Sequence, residues 1–133
     1  MAFVVDNSVV VAWFIASQAN AGTEALLGRA AGEDVRVPVI WPAEFAAALL
    51  TLSHRRRLQP ARLPAILDEI DQLDFIHDSA PPTTRSPVAI ARRHALSAYD
   101  ACYLELALRL RLPLAARDAP LRRAAERAGV LLV

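Results

Sequence analysis

The 133-residue chain contains no lysine, and all of its 15 basic residues are arginine. That absence removes the P-loop lysine, the Schiff-base lysine and the phosphate-pairing lysine that phosphatase and receiver folds require. Cysteine is almost as scarce. The single Cys102 cannot close an internal disulfide, and it reads as a small buried apolar residue. No Cys/His cluster offers a soft-metal site, so zinc chemistry is not expected, and a reducing compartment is compatible. No apolar run approaches the roughly 18 residues of a membrane span, and the start MAFVVDNS lacks a basic segment followed by a long apolar one. A soluble, cytoplasmic protein with no membrane partner is the expectation. A charge excess is missing too: the net charge is +1. The whole molecule is therefore not the cationic object expected of a non-specific nucleic-acid binder, and any such partner must be held locally.

What is present is enough apolar material for a core. At 55% hydrophobic residues, the chain suits one domain spanning residues 1–133. Ala2 to Val5 is a short β-branched and aromatic run that stops at Asp6-Asn7-Ser8, three residue types that favour helix N-caps. A helix from Val9 to about Ala16 should follow. A second begins after Asn20-Ala21-Gly22, with Leu26, Leu27, Ala30 and Ala31 at core spacing and Gly32 as its end. Val35 to Pro38 is the next strand, leading through Trp41-Pro42 into a helix over Ala43 to Arg57. Phe45 to Leu52 is apolar around most of its circumference, so this helix should be central or form an interface. Leu63, Ile66, Leu67, Ile70 and Leu73 keep helical spacing, Phe75-Ile76 gives a brief strand, and Pro81-Pro82 a loop.

Val88 to His94 reads as helix. Ser97 to Asp100 has the start signal of a capping box, and the helix from Ala101 to Leu110 should turn Leu104, Ala107 and Leu108 inward. Leu114 to Ala116 is a strand closing at Arg117-Asp118. Pro120 then opens a helix through Ala128, Gly129 ends it, and Val130 to Val133 forms a last strand. Alternating strands and helices argue for an α/β fold with a parallel sheet covered by helices.

In open parallel sheets, ligands bind outside the carboxyl ends of the strands. Asp6 and Asp118 fall at such ends, Glu44 in the first turn of the helix after strand two, and Asp100 at the start of its own helix. Each has a bland explanation when taken singly. Asp118 is an ordinary N-cap, Glu44 an acid that complements a helix dipole, and Asp100 a partner of Ser97 in its capping box. Asp6 is harder to dismiss, because Asn7 and Ser8 already offer caps and a carboxylate beside an apolar strand carries a desolvation cost. Together the four make sense around a divalent cation that offsets their repulsion. Hard oxygen donors imply Mg²⁺ or Mn²⁺, ions suited to phosphodiester hydrolysis without a covalent nucleophile.

The order of motifs is Val4-Val5-Asp6-Asn7-Ser8, then Pro42-Ala43-Glu44-Phe45, then Leu96-Ser97-Ala98-Tyr99-Asp100-Ala101, then Pro113 to Asp118 with Leu121 following. Over nearly the whole chain this resembles PIN-domain proteins, specifically VapC-type toxins of toxin-antitoxin pairs. The resemblance implies a three-layer α/β/α fold with a central parallel sheet of four to five strands. It also implies a Mg²⁺- or Mn²⁺-dependent endoribonuclease that leaves 5′-phosphate and 3′-hydroxyl ends. Asp6, Glu44, Asp100 and Asp118 would hold metal and position the attacking water, and Ser8 would orient metal or phosphate through its hydroxyl. The implied partners are RNA, a cognate VapB-type antitoxin and a second copy of the chain in a homodimer. Where the family commonly carries Thr or Ser two residues before the fourth acid, this chain has Ala116, and Ala119-Pro120 stand where some relatives place another acid.

Two other readings compete. A non-catalytic interaction module would keep the fold without turnover. A phosphatase of the haloacid dehalogenase class would also start with an Asp after an apolar strand, but it needs a second Asp where Ser8 stands and a lysine that is absent. Arg55-Arg56-Arg57 either tracks an RNA backbone or is a solvated helix end. His54, His77 and His94 are too scattered for a catalytic cluster, and Trp13 and Trp41 read as core or interface anchors.

Overall fold

The computed structural model describes residues 1–81 and 83–133. Pro82, half of the expected Pro81-Pro82 loop, lies outside the described residues. Four parallel strands, β1 (Ala2–Val5), β2 (Asp34–Val37), β3 (Ile76–His77) and β4 (Leu114–Ala115), form one sheet in the order β3-β2-β1-β4. Among the described residues, seven α-helices flank it in a three-layer α/β/α arrangement: α1 (Asn7–Phe14), α2 (Ala21–Ala30), α3 (Trp41–His54), α4 (Leu63–Gln72), α5 (Arg85–His94), α6 (Ala98–Leu110) and α7 (Ala119–Arg127).

The strand order explains where a site can form. From β1 the chain steps outward through β2 and β3 on one side, and β4 is then laid on the other side of β1. The connections therefore diverge beyond the carboxyl ends of β1 and β4, which opens a crevice there. Central β1 is apolar on both faces, with Phe3, Val4 and Val5 each 0% exposed. This is the continuous hydrophobic run of a parallel strand covered by helices on both sides. The ladder continues one residue past the strand, since the Asp6 amide donates to the Ala115 carbonyl at 2.9 Å and so ties the turn after β1 to β4.

Local signals explain most helix starts. Asn20 and Thr23 cap α2 reciprocally, at 2.9 Å in each direction. Ser97 Oγ accepts the Asp100 amide at the start of α6. Pro42 lies in the first turn of α3, where a missing N–H costs nothing. Trp41 anchors the core between Phe45 and Phe75, while the half-buried Trp13 donates to the Thr23 carbonyl at 2.8 Å.

Several expectations need correction. Residues Val130 to Val133 do not form a strand; they run beside β4 with a single bridge, Leu114 to Leu132, because β4 has only two residues to pair with. Helix α1 starts at Asn7 rather than Val9, with Asp6 as its N-cap, and ends at Phe14, followed by a 3-10 turn over Ala16–Gln18. Helix α3 is not hidden from solvent: Ala46 and Ala47 are exposed, and Leu50 is 64% exposed. Leu108 and Ala31 also face outward, since the inward stripe of α6 runs through Ala101, Leu104 and Ala107 and that of α2 ends on Ala30. Cys102 is only partly buried.

Candidate functional site

Two of the four acids hold helix N-cap positions and two lie in first helical turns. Asp6 is the N-cap of α1 and is 3% exposed. Its Oδ1 accepts the Ser8 amide and its Oδ2 the Ser8 hydroxyl, both at 2.8 Å. The Ser8 hydroxyl is thus spent on orienting the Asp6 carboxylate. Asp100 sits in the first turn of α6, half-buried, on the same face as Tyr103, Leu104 and Ala107. The packed stripe of that helix therefore aims Asp100 over the end of the sheet. Glu44, in the first turn of α3, accepts the Tyr103 hydroxyl at 2.5 Å. Asp118 holds the N-cap position of α7, yet its side chain makes no capping bond and stays exposed.

Electrostatics couple several of these positions. Burial pushes Asp6 up to about 7; the two Ser8 hydrogen bonds pull the other way, and the negative charges of Asp118 and Asp100 add to the rise. Asp100 is raised by burial, then by Asp118 and Glu44. Tyr103 is driven far above the usual phenol range, chiefly by its burial and next by its bond to Glu44, so it remains a donor. Asp6 is thus coupled to Asp118 and Asp100, and Asp100 to Asp118 and Glu44. They are not drawn into a closed cage: among the described residues, no three His, Cys, Asp or Glu side chains stand together as a ready metal-binding group. The donor chemistry fits a hard divalent ion, because the set is all carboxylate oxygen and its members carry unrelieved mutual repulsion. Helix starts at α1, α3, α6 and α7 add partial positive charge at the same rim.

Two further residues belong to this neighbourhood. Tyr103 lies 59 positions from Glu44 in sequence, and the only hint of its role is its spacing of three from Asp100. Asn7 is buried, and its Oδ1 has no hydrogen-bond partner. It lines a shallow depression of about 380 Å³ shared with Gln18, Glu44 and Thr51. Arg55-Arg56-Arg57 is not part of the rim. It follows the last turn of α3, roughly 16 Å along the helix from Glu44 at 1.5 Å per residue. The three histidines remain dispersed, at the ends of α3, β3 and α5.

A parallel α/β sandwich with acidic residues beyond the carboxyl ends of its strands and at its helix starts fits a nuclease-like class of fold. The PIN domain family model matches residues 3–127, and the chain belongs to that family. Among solved structures it is similar to PAE2754 from Pyrobaculum aerophilum, with a TM-score of 0.72 and 20% identity over 100% of this chain and 84% of that one. At that identity the likeness concerns the fold. A comparison with curated proteins finds no match. No helix among the described residues is long and apolar enough to cross a membrane.

Proposed function

We propose that the chain is a Mg²⁺- or Mn²⁺-dependent endoribonuclease, the toxin of a VapC-type toxin-antitoxin pair, with Asp6, Glu44, Asp100 and Asp118 as its metal-holding acids. The single observation that carries the reading is that Asp6 and Asp100 are both raised by burial and by the other acids of the rim. A fold that gathers like charges at the mouth of a sheet gains from a cation that neutralises them. A divalent ion bound there supplies the charge neutralisation and Lewis acidity that phosphodiester hydrolysis needs.

The chain's own residues do the positioning. Ser8 fixes both oxygens of Asp6. Tyr103 holds Glu44 in one rotamer from the buried side. Asp118 makes no capping bond and stays exposed, so its carboxylate is open to a ligand. The family's usual hydroxyl two residues before this acid is replaced by the buried Ala116, so nothing there tethers it. The exposed apolar side of α3, with Leu50, Ala46 and Ala47, suits a protein contact of the kind an antitoxin or a second copy would make.

The test is cleavage of a panel of structured and single-stranded RNAs by purified protein freed of bound partners and supplied with Mn²⁺. Endonucleolytic cutting that disappears in EDTA and in Asp100→Asn is expected. Intact RNA throughout, together with tight Mn²⁺ binding, would instead support the non-catalytic interaction module.

A further inference from the structure

The rim that would receive RNA is itself negative, so a polyanion needs compensating charge close by before it can settle there. The structure holds such charge on one side. A cavity of about 670 Å³ runs between α1, one side of α2 and the turn from β4 into α7, and Arg29, Arg117 and Arg122 line it. Among the described residues, no Asp or Glu side chain lines this cavity, and Val133 forms part of its wall. Val9, Ala116 and Arg117 belong to its wall, so it adjoins the turns that carry Asp6, Ser8 and Asp118.

The three guanidinium groups are not equivalent. Arg29 is bound through two nitrogens to Glu33 and lies over the Phe3 ring, so its charge is already matched. Arg122 donates to the Ala116 carbonyl at 2.8 Å, a neutral partner. Arg117 is exposed and meets only the Gln18 amide oxygen, at 3.3 Å. Among the described residues, neither Arg117 nor Arg122 forms an ion pair. Two unmatched cations thus face one concavity beside four carboxylates, and they are not used to neutralise those carboxylates. Val9 and Leu26 give the remaining wall an apolar surface.

We propose that this cavity binds the RNA backbone next to the scissile bond, with Arg117 and Arg122 gripping a flanking phosphate. Arg117 makes the contact that sets affinity. Arg122 contributes charge while holding the β4–α7 turn in place. The proposal rests on the ribonuclease reading for the identity of its ligand, but binding and cutting are measured separately.

The experiment is fluorescence anisotropy with a labelled single-stranded RNA oligonucleotide and the full chain in EDTA, titrated between about 50 and 200 mM salt. Arg117→Ala should weaken binding about 3- to 10-fold and lower the salt slope by about one, and Arg117→Lys should restore the slope. Arg123→Ala, an exposed arginine of α7 outside the cavity, should change neither. Equal affinity and slope for wild type and Arg117→Ala, or no RNA binding at all, overturns the proposal. So does displacement of the RNA by a polyglutamate peptide at matched charge, which would assign the cavity to an acidic protein segment. In a parallel Mn²⁺ assay, RNA binding that depends on Arg117 with no cleavage would sink the nuclease reading and leave the cavity assignment standing. Cleavage whose KM is indifferent to Arg117→Ala would do the reverse.

Discussion

Asp6 is the residue on which the chemistry and the stability of this protein collide. Its carboxyl ionises near 4 in an unfolded chain and at about 7 in the folded, metal-free one. Between those values the folded state binds the extra proton, so the Asp6 contribution to stability falls as pH rises through that window and stays lost above it. Metal-free protein should therefore unfold in less urea at pH 8 than at pH 5. Asp6→Asn should flatten that dependence and raise the unfolding free energy at pH 8, by a few kcal/mol at most, while abolishing RNA cleavage. Denaturation curves of both proteins at the two pH values check this. Tyr103 offers a second test. Tyr103→Phe removes the donor to Glu44 from a fully buried ring. It should cost about 1 kcal/mol of stability but lower kcat roughly 10-fold with little change in KM, since the lost contact positions an acid rather than substrate.

At the scale of elements, the helix starts carry the site, and how readily each can be read from sequence follows from how local its signal is. The Asn20-Thr23 and Ser97-Asp100 starts are visible in sequence because both partners lie within one turn. Asn20→Ala should lose about 1 kcal/mol, seen as a lower melting temperature. The start of α1 is ambiguous for a physical reason: Asp6, Asn7 and Ser8 are nearly equal as caps, and the choice of Asp6 is made by its amide bond to β4, which no local pattern encodes. The missing fifth strand has a similar origin, because an apolar run such as Val130 to Val133 can pair only as far as its neighbour extends. The exposed side of α3 escaped the apolar count because alanines satisfy it whether they face the core or solvent.

For the whole molecule, the parallel sheet and the alternation of helices are legible up to α7, and the four acids stand out as candidates because each ends a strand or opens a helix. Their electrostatic coupling is not legible, because it depends on β4 lying beside β1 rather than beside β3. That same strand order places the arginine-lined cavity against the acidic rim. The account then turns on whether this rim captures a divalent ion. Calorimetric titration of the purified chain with Mn²⁺ at pH 7.5 measures that directly. Saturable binding, accompanied by proton release and lost in both Asp6→Asn and Asp100→Asn, is the expected result. Absence of binding in the wild type, or binding that survives both substitutions unchanged, would contradict it.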